Sequence, residues 1–153
     1  MKLIQLQPKM TDSMLDDKLA KAYRRLHKVL AIAETKPLSE STISKINEKV
    51  HELNASTKIN GALYRLVNLT ENEIITILEQ DIDIVPVGHY SKKWTAVGIT
   101  LYGIPFGIIL GLFTHNMGLF AIGLPIGLGI GALIGRSKDA QAAAQGRQYD
   151  IAI

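Results

Sequence analysis

The sequence predicts an all-α membrane protein. A cytosolic helical N-terminal domain leads into a C-terminal two-helix transmembrane hairpin, with room for a minor β element. Three observations predict this class. No Asp, Glu, Lys or Arg occurs from Trp94 to Gly135. Ten of the thirteen glycines lie between Gly98 and Gly135. Before that block, apolar residues recur at threes and fours, the period of a helix with one buried face. The expected division is residues 1–91 as the head, 92–136 as the hairpin, and 137–153 as a cytosolic helical extension and tail.

The first helix of the head is marked at its start by Ser13 and Asp16, which read as a capping box with aspartate in place of glutamate. Its stripe is Leu15, Leu19, Ala22, Leu26, Val29 and Ala33, and Lys36-Pro37 ends it. A cap among Ser39, Glu40 and Ser41 opens a second helix with the stripe Ile43, Ile46, Val50 and Leu53. Asn60-Gly61 reads as a turn, with a third helix able to begin before Leu63. Thr70 and Glu73 form a better capping box, followed by Ile74, Ile77 and Leu78. The result is a small three- or four-helix domain, or a helical hairpin that needs partner chains to bury its stripes, and such short domains are marginal alone.

Three short segments have strand character: Leu3–Gln7, Ile82–Val87 and Tyr149–Ile153. Pro86 would confine its strand to an edge.

The hairpin has two uncharged stretches, 94–113 and 117–135, of twenty and nineteen residues. At about 1.5 Å per residue each is roughly 30 Å long, the thickness of a bilayer core. Thr114, His115 and Asn116 supply the turn between them. Lys92 and Lys93 precede the first span, Arg136 and Lys138 follow the second, and the turn has no basic residue. By the positive-inside rule both ends face the cytosol. Tyr90 and Trp94 are the expected interfacial anchors.

Gly103, Gly107 and Gly111 stand four apart on the first span. Gly123, Gly127, Gly131 and Gly135 do so on the second. Each row shares a helix face, so two backbones can approach closely where lipid gives no hydrophobic drive. The spans repeat at an offset of twenty, and Pro105 and Pro125 each follow a row glycine by two residues. Proline removes a backbone donor and tends to kink a helix. Gly129 thins a further face, which favours a homo-oligomer.

Charge sharpens the division. Residues 1–91 hold twelve basic and twelve acidic side chains, so the net +3 comes from the flanks of the apolar block. That placement speaks for a lipid bilayer as partner and against nucleic acid. Within the head, residues 1–65 carry +5 and 66–91 carry −5. Pairing within one chain is the favoured reading of this polarity, over contacts between subunits. Lys18, Lys21, Arg24, Arg25 and Lys28 make a basic helix face. A simple solvated face is the favoured reading over contact with anionic headgroups, where each such charge is worth about 1 kcal/mol.

The stretch Gly127-Leu-Gly129-Ile-Gly131-Ala-Leu-Ile-Gly135-Arg-Ser-Lys-Asp139, with Gly146-Arg-Gln-Tyr, resembles the ends of small bacterial membrane proteins with glycine-zipper segments. The resemblance covers about forty residues. It implies a bacterial inner (cytoplasmic) membrane location and carries over no functional residue.

Chemistry is sparse. The sequence has no cysteine, which excludes disulfides and thiolate sites. His27, His51, His89 and His115 show no metal spacing, and no phosphate loop or nucleophile cluster occurs. The expectation is therefore no catalytic residue, no metal and no cofactor. The leading reading is a non-enzymatic, membrane-anchored structural or adaptor subunit. It oligomerises through glycine-zipper helices and recruits a cytosolic protein through residues 1–91. The alternative is a homo-oligomeric pore or channel, including one that permeabilises membranes. Only Thr95, Thr100 and Tyr102 would give such a pore polar lining.

Overall fold

The structure, a computed structural model, describes residues 2–8 and 17–151. The expected cap at Ser13 and Asp16, Leu15 of the first stripe, and the end of the Tyr149–Ile153 segment lie outside the described residues. The protein is all-α, with a C-terminal apolar helical hairpin and, among the described residues, one pair of two-residue strands. It forms two compact units, Met1–Val85 with Tyr149–Ile153, and Pro86–Gln148. The boundary between the units falls at 85/86, and the first hairpin helix begins at His89. Strands β1 (Val85–Pro86) and β2 (Gln148–Tyr149) are hydrogen-bonded neighbours.

The first unit has helices α1 (Asp17–Glu34), α2 (Glu40–Ala55) and α3 (Asn60–Ile82). Both α1 and α2 pack on α3. The α1 stripe of Leu19, Ala22, Leu26, Val29 and Ala33 is buried, with Tyr23 and Leu30 beside it. Ile46, Val50 and Leu53 of α2 meet Leu63, Val67, Ile74 and Leu78 of α3 in the same core. Ser39 caps α2, its Oγ accepting from the Thr42 backbone N at 3.1 Å.

Two expectations for this unit are corrected. Thr70 and Glu73 do not start a helix; they lie within the 23-residue α3. The helix starts at Asn60 (φ 51°) and meets no proline or interior glycine after Gly61. A Ser/Thr-x-x-Glu pattern caps only where the chain is otherwise interrupted, and Thr70 is instead buried. Leu3–Gln7 is not a strand. Its backbone is bonded by asparagine side chains of α2.

The charge polarity is used within the chain. Arg25 Nη2 donates to Glu71 Oε1 at 2.6 Å, and Glu71 is buried. Lys45 Nζ lies 3.0 Å from Asp81 Oδ2, and Lys49 Nζ lies 3.6 Å from Glu73 Oε2. Each pair joins the basic segment to the acidic one. Lys45, and then the Thr42 hydroxyl, hold the Asp81 carboxyl below the usual carboxylate range. Burial, and then the charge of Glu71, push the Tyr149 phenol well above its ordinary value.

The second unit holds two long helices. The first runs His89–Phe113 as α4 (His89–Gly98), a π-helical turn (Ile99–Gly103) and α5 (Ile104–Phe113). The second opens with a 3₁₀ turn (Met117–Leu119) and continues as α6 (Phe120–Ala144). Both are long and apolar enough to cross a membrane. Only 22% and 17% of their most apolar windows are buried, whereas the core helix of a soluble protein would be mostly buried.

Candidate functional site

The hairpin is built on glycine. A methyl group at Gly127 would lie 2.6 Å from the Gly103 Cα, and one at Gly103 would lie 2.9 Å from the Gly123 carbonyl oxygen. A methyl at Gly107 would meet the Phe120 carbonyl at 2.5 Å. Gly135 faces Ser91 Cα at 2.6 Å, and Gly131 faces the Trp94 carbonyl and Thr95. Gly111 is less tight, with the Met117 sulfur 3.2 Å from its added carbon. The two rows therefore face each other within one chain. Gly129 meets nothing within 4 Å.

One glycine of this contact escaped the sequence reading. Gly98 lies five residues before Gly103, so it is off the four-residue row. A methyl there would collide with the Gly127 carbonyl and sit 2.7 Å from Gly131 Cα. In an unbroken α-helix five residues overshoot a full turn by about 140°. The π turn takes up the extra residue: the Ile104 N–H bonds back to the Ile99 carbonyl. Pro105 stands directly after it and has no N–H to give. The first helix thus answers its proline with a wider turn, and that turn returns Gly98 to the contact face. α6 is continuous through Pro125.

The turn is closed by its own polar groups. His115 takes φ 52°, and Asn116 Oδ1 accepts from the Gly118 N at 3.0 Å. The Asn116 N–H donates to the Gly111 carbonyl at 3.1 Å.

The opposite end carries the charge. Because Ser91 lies against Gly135, residues Lys92, Lys93, Arg136 and Lys138 gather there, all exposed. Lys138 Nζ stands 5.3 Å from the Trp94 ring centroid, a cation–π distance. Tyr90 packs edge-on to His89, with centroids 5.4 Å apart. A further residue holds this end. Asp139 Oδ1 accepts from the Tyr90 N at 3.1 Å, and Oδ2 accepts from the Ser91 N and Oγ at 2.9 and 2.6 Å. Gln148 Nε2 donates to the Asp139 carbonyl at 3.0 Å. Helix α4 has no side-chain cap of its own at Gly88. A carboxylate from α6 satisfies the free N–H groups and opposes the positive end of the dipole. In the sequence Asp139 is one acid in a polar run, and no local pattern links it to residues almost fifty positions earlier.

The hydroxyls of Thr100 and Thr114 are directed at their own helix. Thr100 Oγ1 donates toward the Ala96 and Val97 carbonyls at 3.1 Å, and Thr114 Oγ1 donates to Leu110 at 2.7 Å. Among the described residues no three acidic or histidine side chains come together as a metal set would.

Compared with known proteins, the chain matches no family model, no curated protein and no solved structure.

Proposed function

We propose that the chain is a non-enzymatic membrane adaptor: the hairpin anchors it in a bacterial inner membrane, and the helical head receives a cytosolic partner. The observation that carries this reading is the division of surfaces in the hairpin. Its glycine faces are spent on each other, while Leu101, Phe106, Ile109, Leu112, Phe113 and Leu133 are exposed. In water such a surface would aggregate; in lipid it is the expected exterior.

Both termini lie on the cytosolic side in this account, since Lys92, Lys93, Arg136 and Lys138 mark one end and the loop has no Lys or Arg. Homo-oligomers would form through other surfaces than the two rows, and the Gly129 face is the thinnest available.

The anchor reading is preferred to a pore because the polar side chains suited to line one are few, and the Thr100 hydroxyl already bonds its own helix. Reconstitution into liposomes separates the two. The adaptor reading expects ion flux no higher than in protein-free vesicles. Flux that rises with protein content overturns it in favour of the pore.

A further inference from the structure

The basic end of the hairpin has two flanks, and they differ. A methyl at Gly135 would lie 2.6 Å from the Ser91 Cα, and one at Gly131 would lie 2.9 Å from the Thr95 Cα. These contacts fix α4 and α6 as an antiparallel pair in one register. Each residue turns a helix by about 100°. In an antiparallel pair, equal steps from two facing residues land on the same flank. Trp94 and Lys138 each stand three residues past the Ser91–Gly135 contact. Lys138 Nζ is 5.3 Å from the Trp94 ring, so these two share a flank as the geometry requires. Lys92 and Arg136 each stand one residue past the same contact. They share the other flank, about 3 Å apart along the axis. Lys93, about 200° from Ser91, faces away from the seam.

Nothing neutralises the Lys92–Arg136 flank. Residues 86–148 hold five Lys or Arg and one acid, Asp139. Asp139 is one turn past Arg136, but its oxygens are taken up. Oδ1 accepts from the Tyr90 N, with Gln148 Nε2 at 3.4 Å, and Oδ2 accepts from the Ser91 N and Oγ. Among the described residues neither Lys92 nor Arg136 forms an ion pair, and both are exposed. Lys138 differs, because the Trp94 face already receives its ammonium.

Deeper on the same stripe of α6, Ala132 and Gly129 stand four and seven residues before Arg136. A methyl at Gly129 would meet nothing within 4 Å. This stretch gives room for a glycerol backbone and an acyl chain below a bound headgroup, while the two cations set the charge of that headgroup. A free phosphate would leave the apolar stretch uncovered. A headgroup with its own ammonium would bring a third cation beside Lys92 and Arg136. An anionic headgroup brings only the phosphate charge.

We infer that Lys92 and Arg136 form a phosphate-binding notch for an anionic phospholipid of the cytosolic leaflet, seated on one flank of the hairpin. This rests on the anchor reading, which supplies the bilayer. Binding is read in detergent, so its failure leaves the anchor standing. Failure of the anchor reading shows instead as cysteine labelling of head and loop from one side.

The test is native mass spectrometry of the full chain in detergent. Phosphatidylglycerol and phosphatidylethanolamine with the same acyl chains are added together, and the ratio of the two adducts is read. Wild type should favour phosphatidylglycerol by about tenfold or more. Lys92→Gln and Arg136→Gln should each cut that preference by about fivefold, while Lys93→Gln and Lys138→Gln change it by less than about twofold. Circular dichroism checks the fold of each variant, and because Lys92 and Arg136 lie on different helices, either folded variant reads the notch. Equal losses at all four positions overturn the proposal in favour of diffuse charge. Absence of a preference in wild type overturns it outright. Release of the phosphatidylglycerol adduct by excess inorganic phosphate overturns it in favour of a free-anion site.

Discussion

Asp139 and Ser91, forty-eight positions apart, meet through two hydrogen bonds of 2.9 and 2.6 Å to one carboxylate oxygen. The second helix of the hairpin thereby caps the first. Asp139→Ala should cost about 0.5–2 kcal/mol, the usual value of a lost N-cap. Hydrogen exchange checks this: the Tyr90 and Ser91 amides should lose protection, while amides near Gly123 keep theirs. Unchanged protection at Ser91 would show that the cap is dispensable.

The glycine contact predicts a sharp positional contrast. Gly123→Ala, Gly127→Ala or Gly131→Ala places a carbon against backbone that must move, so each should destabilise the hairpin by about 1–3 kcal/mol. Gly129→Ala meets open space and should be neutral or mildly stabilising, since alanine is the better helix former. Unfolding of the purified protein in mild detergent reads the difference. Equal effects at Gly127 and Gly129 would contradict the close approach.

Arg25 is 40% exposed by its side chain, whereas that of Glu71 is 1% exposed. Arg25→Ala leaves a buried carboxylate without its guanidinium and should cost about 2–4 kcal/mol, less than a fully buried pair because Arg25 reaches solvent. Glu71→Gln in the same chain should recover part of that loss. Thermal unfolding of the single and double variants tests the coupling, and strict additivity would remove it.

Asp81 gives the head an acid-sensitive link between α2 and α3. Its carboxyl is held below the ordinary value of about 3.9 by Lys45 and then by Thr42. Its contribution is present above the unfolded-state value and is lost as pH falls through the folded one. Its partner Lys45 is half exposed, so the contribution should stay below about 1 kcal/mol. Stability of wild type relative to Asp81→Asn should be constant from pH 7 to 5 and converge below about pH 4. A gap that widens with acid would contradict the assignment.

The sequence carried the hairpin plainly, because two uncharged stretches of span length flanked by lysine and arginine carry the length and charge signature of membrane helices. Buried stripes on α1 and α2 were equally visible, since Leu19, Leu26, Ile46 and Val50 repeat with the helix. Gly98 was hidden because only the π turn before Pro105 brings it into register. The unbroken course of α3 was hidden because Thr70 and Glu73 imitate a start signal in mid-helix. Leu3–Gln7 looked like a strand by its alternation, but Asn47 and Asn54 stand in for the neighbouring strand. Asp139 could not be foreseen, because its partners are close only once the two helices have paired.

The account stands or falls on the hairpin crossing the membrane with the head on the cytosolic side. Single cysteines at Asn116 in the loop and Ser41 in the head suit a chain that has none of its own. Intact cells expressing each variant are treated with a membrane-impermeant maleimide, before and after permeabilisation. The account predicts that Asn116→Cys is labelled from outside, through an outer membrane made porous to the reagent, and Ser41→Cys only once the inner membrane is opened. Labelling of both positions from the same side would contradict it.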